Sequence, residues 1–455
     1  MPRNGEQFTQ TGWLVCAWVL VTPFNYGYHI SLLNQIQTVL TCKDVSPNIP
    51  TAGCIPMSDF VFSSVTAIFT AGGLVGSLVA NYFMERSGRK GASRMSAIFV
   101  AVGSALMGIS TSVGTLAFGR LLVGIGAGIG ICVSPLYLAE IAPSKISGNV
   151  GVLTQLGIVL GIMITQAIGL RFATPSEWRY VLFLSSGIAI AQLFLSPAIV
   201  ESPAWLGSKG HVELKKAAVI KLWGSAAPTT PSLEDPLLDN LEAHRNEQIT
   251  ALTVPQALSA EDIRRPLATV CFAMLSQQLS GINAVLYYSN DILSKSLPNL
   301  GPYVSLGITV VNVVMTFPPI LLIDRIGRRQ LLYISSIGAI SSLVLVGFGL
   351  NLGFGTLSSI AILSFVTSFA CGLGPIPFVL IPEISPFHAV SALSSIALSL
   401  NWSANFLVGL VFLPLRNALA GHGEGTVFFV FAVALLCSMG LGFRTADKGL
   451  RRRGP

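Results

Sequence analysis

An all-α integral membrane protein, twelve helices arranged as two related six-helix bundles, is the fold class this sequence predicts, and three observations predict it. The 455 residues are 52% hydrophobic and only 10% charged, with a mean hydropathy of +0.70, a balance that a soluble domain of this length does not show. The few charges leave long gaps, and crossing about 30 Å of hydrocarbon takes about 20 apolar residues. Two charged motifs then recur, at offsets of 239 and 243 residues, which divides the chain into similar halves.

The elements follow from the gaps. No Asp, Glu, Lys or Arg occurs in 7–42, 60–84, 95–119, 121–139, 146–170 or 180–200, nor in 266–290, 296–323, 384–415 or 425–443, and each window holds one helix. The window 330–382 is too long for one helix and breaks at the Gly-rich run Gly349 to Gly355, which gives two. The first apolar run lacks a basic leader and a small-residue cleavage site, so it reads as the first span rather than a signal peptide. Residues 201–265 hold 16 of the 47 charges and form a connector in which Leu214, Ala218 and Leu222 recur at helical spacing beside Lys215, Lys216 and Lys221, the pattern of a short amphipathic helix. The predicted organisation is a first bundle at 1–200, a linker at 201–265, a second bundle at 266–443 and a short tail at 444–455.

The net charge of +7 does not point to nucleic acid, because the basic residues follow the loops. With the N-terminus in the cytoplasm, 21 of the 27 Lys and Arg fall on the cytoplasmic side, leaving Lys43, Arg120, Arg171, Arg179, Lys295 and Arg416 elsewhere; the positive-inside rule therefore predicts both termini cytoplasmic. Five cysteines (Cys16, Cys132, Cys271, Cys371, Cys437) fall within spans, where a thiol behaves as a small hydrophobe. Cys42 and Cys54 share a loop on the opposite side, where an oxidising lumen would permit a bridge. No grouping resembles a metal site.

The repeat carries chemistry. Glu85-Arg86-Ser87-Gly88-Arg89-Lys90 after the second span matches Asp324-Arg325-Ile326-Gly327-Arg328-Arg329 after the eighth, and Leu138 to Pro143 at the end of the fourth matches Ile381 to Pro386 at the end of the tenth. A tight Gly turn would let Arg86, Arg89, Arg325 and Arg328, with Glu85 and Asp324, reach Glu140 or Glu383 at neighbouring helix ends and latch the cytoplasmic side. The plainer alternative is that these basic residues only set topology. Parallel six-helix repeats imply a site near the bilayer midplane between the halves, which rock around it.

A carboxamide within a span is costly unless it lines a cavity or joins helices. The seventh span carries Gln277, Gln278 and Asn283 around Gly281, a natural point of unwinding, and ends on Tyr287 and Tyr288. Gln155, Gln166, Asn312, Asn401, Trp402 and Asn405 add amides and an indole. Neutral donors and acceptors beside an aromatic face suit a neutral polyhydroxy ligand; the alternative for any single amide is helix-to-helix glue.

The motifs Tyr26-Gly27-Tyr28, the two Gly-Arg turns, Arg120 to Gly124, Pro135 to Glu140, Gln155-Leu156-Gly157, Glu201-Ser202-Pro203, Gln277 to Tyr288, Gly374 to Pro377 and Asn401-Trp402 resemble those of the sugar porter family of the major facilitator superfamily, from about residue 12 to 445. The resemblance implies a major facilitator fold with pseudo-two-fold symmetry. It also implies a glucose-like monosaccharide held by Gln155, Gln277, Gln278, Asn283 and Asn312 with Trp402 and Asn405, and Tyr287 and Tyr288 as gating residues. It implies no enzyme activity and no cofactor, and a monomer whose partners are the sugar and the lipid bilayer.

Departures from the family pattern set the alternatives. His29 stands where proton-coupled relatives carry Asp and facilitators Asn, so facilitated diffusion is the first reading and proton-coupled sugar or polyol symport through His29 the alternative, with a non-transporting sugar sensor third. Ala370 and Phe378 replace Glu and Trp of many relatives. Ser147 and Val390 replace arginines, which thins the latch and would ease opening toward the cytoplasm. Tyr-Gly-Tyr-His at 26–29 is similar to fungal members of internal membranes, which leaves the plasma membrane and the vacuolar membrane as the two locations implied.

Overall fold

The computed structural model describes residues 8–42, 53–143, 146–224, 252–283, 285, 301–419, 421, 423 and 425–450. The first half contains α1 (Gln10–Leu40), α2 (Asp59–Gly108), α3 (Val113–Ile141), α4 (Ser147–Phe172) and α5 (Trp178–Leu195), followed by the short linker helices α6 (Pro203–Ser208) and α7 (Val212–Trp223). The second half contains α8 (Val254–Ser259), α9 (Arg264–Leu279), α10 (Gly301–Ile326), α11 (Arg328–Asn351), α12 (Gly355–Cys371), α13 (Ile376–Ile384), α14 (Val390–Leu419) and α15 (Thr426–Leu450). The described residues form helices and no strands.

Among the described residues, eight helical stretches are long and apolar enough to cross a membrane. One of them is α2, whose helical geometry breaks at Gly88 (φ 76°, ψ 179°); its arms are two spans. A left-handed φ favours glycine, and the Glu201 carboxylate lies where a Cβ on residue 88 would stand. With α1, α9 and α15 the total reaches twelve. Polar Asn25, His29, Gln35 and Gln37 lower the hydropathy of the 31-residue α1, and α9 stops after 16 residues because Gly281 turns the backbone to φ 76°.

Small residues set the packing. Cβ atoms at Gly72 and Gly76 would collide with the Leu121 and Ile125 carbonyls of α3, so α2 and α3 meet at backbone contact, the mode expected where lipid offers no hydrophobic drive between helices. The halves meet chiefly along α2 with α14 and α4 with α10. In the linker, Trp223 Nε1 donates to Ile141 O (2.9 Å), Thr9 N donates to Leu222 O (2.9 Å), and Ala218 and Leu222 are buried. Leu214 is 59% exposed and does not join that face, contrary to the sequence pattern. Past the residues at 225–251, Leu252 N donates to His388 O (2.8 Å), and Ala257 and Ile263 pack on Ala389, Ala392 and Leu393.

Two sequence expectations need amendment. Arg120 is not a loop charge: it lies inside α3 and is buried, its Nη1 donating to His29 O (3.1 Å) and its guanidinium standing 4.6 Å from the Phe69 ring centroid. A charge can occupy a span when backbone oxygen and an aromatic face replace its water. The boundary between the third and fourth spans accordingly falls at 109–112, upstream of the charge that marked it.

Candidate functional site

The amides of α9 and α14 form one connected network. Gln278 Nε2 donates to Asn401 Oδ1 (3.1 Å), Asn401 Nδ2 donates to Gln277 Oε1 (2.9 Å), and Asn283 Nδ2 donates to Gln278 Oε1 (2.8 Å). Gln277 Nε2 also donates to the carbonyls of Leu373 (3.1 Å) and Gly374 (2.9 Å), where the chain turns from α12 into α13. Gln155 of α4 reaches the same turn, its Nε2 standing 3.2 Å from where a Cβ on Gly374 would be. Two helices of the second half, the turn and a helix of the first half thus converge on one buried polar patch.

An aromatic face adjoins it. Trp402, next to Asn401 in α14, meets Tyr26 edge-on at 5.4 Å and Phe69 at 5.6 Å between ring centroids; Tyr26 and Phe69 belong to the first half. Asn405 and Phe378 are buried. Asn312 of α10 is buried as well, and its Oδ1 has no hydrogen-bond partner among the described residues, as is true of Thr154 Oγ1 on α4 and Asn25 Oδ1 on α1. Gln166 pairs with Gln35, the helix-to-helix role rather than a free ligand group. Tyr287 and Tyr288 lie outside the described residues.

Behind Phe69 sits a second polar cluster within the first half. His29 Nε2 lies 2.7 Å from Ser185 Oγ and 3.1 Å from Ser104 Oγ, while Nδ1 is buried without a partner among the described residues. Arg120 holds the His29 carbonyl and covers Phe69. A chain of contacts, one hydrogen bond and two ring contacts, therefore runs from His29 through Arg120 and Phe69 to Trp402.

At one end of the molecule the two Gly-Arg turns place Arg89 and Arg328 alike. Arg89 forks onto Glu140, Nε to Oε2 at 2.9 Å and Nη2 to Oε1 at 2.8 Å, with Glu85 at 3.6 Å. Arg328 forks onto Glu383, Nε to Oε2 at 3.0 Å and Nη2 to Oε1 at 2.7 Å, with Asp324 at 3.0 Å. Such forked pairs fix orientation as well as charge. The first is buried, with 2% and 8% exposure of the two side chains; the second is part-exposed at 29% and 28%. Arg86 lies over Tyr82, and Arg325 is exposed. Glu201 joins the first cluster, accepting from Arg89 N (3.0 Å), Lys90 N (3.1 Å) and Ser202 N (2.8 Å). Burial pushes its carboxyl above the usual range, against the pull of those backbone donors and of Arg89.

At the other end Cys42 and Cys54 form a disulfide with Cα atoms 5.4 Å apart. Arg179 ties neighbouring segments there, donating to the carbonyls of Gly108 (2.7 Å), Ser110 (2.7 Å) and Gly53 (3.2 Å).

Some of this lay beyond sequence reasoning. Phe69, Ser104 and Ser185 carried no signal, since single aromatics and serines are common in spans. Arg120 did carry one, as a mid-span cation is by itself a marker of function or pairing.

Two helical halves that meet around buried amides, with paired charges across one end, define a membrane transporter of the major facilitator fold. The structure superposes with a TM-score of 0.79 and 20% identity, over 94% of each chain, on the proton:xylose symporter XylE bound to 6-bromo-6-deoxy-D-glucose. It superposes with a TM-score of 0.67 on the inward open conformation of the xylose transporter XylE from E. coli, again over 94% of each chain. The family model described as sugar (and other) transporter matches residues 15–446, and the chain belongs to that family. It is 34% identical to a probable metabolite transport protein of Saccharomyces cerevisiae, over 95% of this chain and 92% of the relative. It is 32% identical to the human solute carrier family 2, facilitated glucose transporter member 4, over 95% and 88%.

Proposed function

We propose that this chain moves a hexose-like monosaccharide across a membrane by alternating access, as facilitated diffusion. The observation that carries the reading is the Gln277–Gln278–Asn283–Asn401 network beside Trp402: neutral donors and acceptors with an aromatic face match sugar hydroxyls and a sugar's apolar face, and they offer no charge to an ion. Gln155, Asn312 and Asn405 complete the set, and Asn312 Oδ1, which has no hydrogen-bond partner among the described residues, is an acceptor for a ligand hydroxyl. Relatives named for facilitated glucose transport support the substrate class.

The two rocking bodies are residues 1–200 and 266–443, joined by the linker 201–265 and followed by the tail 444–455, with the chain acting as a monomer. Both termini face the cytoplasm, in the plasma or vacuolar membrane: the end with the Gly-Arg turns carries most of the basic residues, and the disulfide lies at the other end, where an oxidising compartment would preserve it.

Uncoupled transport is favoured over proton symport by the surroundings of His29. Among the described residues a second ring proton, on Nδ1, would have no acceptor, and the ring meets hydroxyls and aromatic faces rather than a carboxylate.

Uptake of labelled glucose into proteoliposomes, at equal pH and with an inward proton gradient, tests the reading with wild type and Gln278→Ala. Equilibrating uptake that the substitution reduces at least about tenfold is expected, the loss of about 1.4 kcal/mol of binding. Accumulation above the external concentration under the gradient would make the protein a symporter, and no uptake of any hexose would remove the sugar.

A further inference from the structure

The forked ion pairs do not join the halves. Arg89 and Glu140 both belong to the first, Arg328 and Glu383 both to the second, so the cytoplasmic end can open with both pairs intact. The turn carboxylates are what reach across. Ser391, in the first turn of α14, donates to Glu85 Oε1 of the first half (2.6 Å). Its hydroxyl oxygen also accepts from Arg89 Nη2 (3.5 Å). Asn149, in the first turn of α4, with its amide nitrogen turned to the acceptors around it, donates to Asp324 Oδ2 of the second half (2.9 Å) and to Ile320 O (2.6 Å).

These contacts are symmetry mates. Asp324 follows Glu85 by 239 residues, as Arg328 follows Arg89, and Ser391 follows Asn149 by 242, close to the 243 that separate Glu383 from Glu140. Each half therefore offers a carboxylate one helical turn before its fork arginine, and each receives a neutral donor from the other half's helix start. The approach is tight: a Cβ at Gly148 would stand 2.5 Å from both Asp324 Oδ1 and Arg328 Nη2, so a larger residue there would have to push those side-chain ends aside.

We propose that Ser391 and Asn149 are a pair of positioning residues that clasp the cytoplasmic ends of the halves, each donating to the turn carboxylate of the opposite half. The proposal rests on the alternating-access reading but not on the identity of the sugar. Neutral donors make a weaker clasp than two arginines would, because a hydrogen bond to one ion lacks the second charge. Release therefore needs no charge separation. The further ties across the halves are neutral too: Ser77 Oγ with Ser399 Oγ at 2.9 Å, Ser394 Oγ to Cys132 O at 3.1 Å and, through the linker's end, Asn81 Nδ2 to Leu252 O at 3.4 Å.

Amide hydrogen exchange in nanodiscs without sugar tests this on the full chain, comparing wild type with Ser391→Ala/Asn149→Ala. Loss of the clasp should raise exchange across 147–151 and 390–394 about tenfold, with protection across 331–346 unchanged as the measure of intact fold. Unchanged exchange in both segments would overturn the proposal. Should the double variant lose protection across 331–346, Asn149→Asp carries the test, since a second carboxylate facing Asp324 repels it: a rise confined to the two segments supports the clasp, and wild-type protection there overturns it. Because no sugar is present, this result is independent of whether glucose is the substrate.

Discussion

The Trp402 indole lies flush on Gly73 across the interface between the halves, so that a Cβ on residue 73 would stand 2.5 Å from three indole carbons. The same indole meets Tyr26 and Phe69 edge-on, and no slack remains on that side. Gly73→Ala should therefore displace the ring, at an overpacking cost of about 1–3 kcal/mol. The expected outcome is a KM for sugar raised about tenfold with normal membrane expression, and a shifted Trp emission spectrum. An unchanged KM would mean that Trp402 is not part of the sugar face.

Asn401 is the hub of the amide network, accepting from Gln278 and donating to Gln277. Its removal leaves two buried carboxamides each short of a partner, at about 1–3 kcal/mol apiece. Asn401→Ala should thus raise KM at least as much as Gln278→Ala, roughly tenfold or more, although Asn401 need not touch sugar. Titrating sugar-induced protection against thermal unfolding in both variants checks this. A wild-type midpoint in Asn401→Ala would show that Gln277 and Gln278 hold their places without it.

What the sequence made legible was whatever the membrane itself enforces. Gaps between charges located the spans because hydrocarbon excludes ions, and Gly88, Gly281 and the run at 349–355 marked breaks because their backbone needs glycine or a turn. The charge rule failed at Arg120, where tertiary partners made burial tolerable. Helical periodicity, a separate signal, grouped Leu214 with Ala218 and Leu222, yet Leu214 is 59% exposed in α7, because spacing alone does not say how far a buried face extends. Candidate ligand amides could be read from chemistry, whereas their wiring could not: that Asn401 bridges Gln277 and Gln278, or that Asn149 and Ser391 stand where halves meet, depends on helix rotations that no local pattern records.

For His29, the hydroxyls of Ser185 and Ser104 at 2.7 and 3.1 Å suit the neutral hydrogen-bonding role proposed for it, and Asn retains one donor for either. His29→Asn should lower the initial rate of uptake no more than about threefold, under about 1 kcal/mol, and an inward proton gradient should leave the steady-state sugar ratio at equilibrium in both proteins. Measuring internal against external sugar decides it. Accumulation by wild type that His29→Asn abolishes would overturn the neutral reading and give His29 the coupling role.

The two fork pairs are alike in geometry and unlike in burial, and this predicts unequal consequences. Removing the charge of Glu140 leaves Arg89, 2% exposed, facing Glu85 at 3.6 Å; breaking one side of a buried pair costs about 3–5 kcal/mol. Arg328 is 29% exposed, keeps Asp324 at 3.0 Å, and can recruit water, so neutralising Glu383 costs about 1 kcal/mol. Glu140→Gln should therefore lower thermal stability in detergent clearly more than Glu383→Gln, and raising salt should narrow the deficit of the second variant more than that of the first, since exposed charges are screened and buried ones little. Equal losses from the two substitutions would mean that burial does not set the strength of these pairs, and that the halves rely on their forks equally.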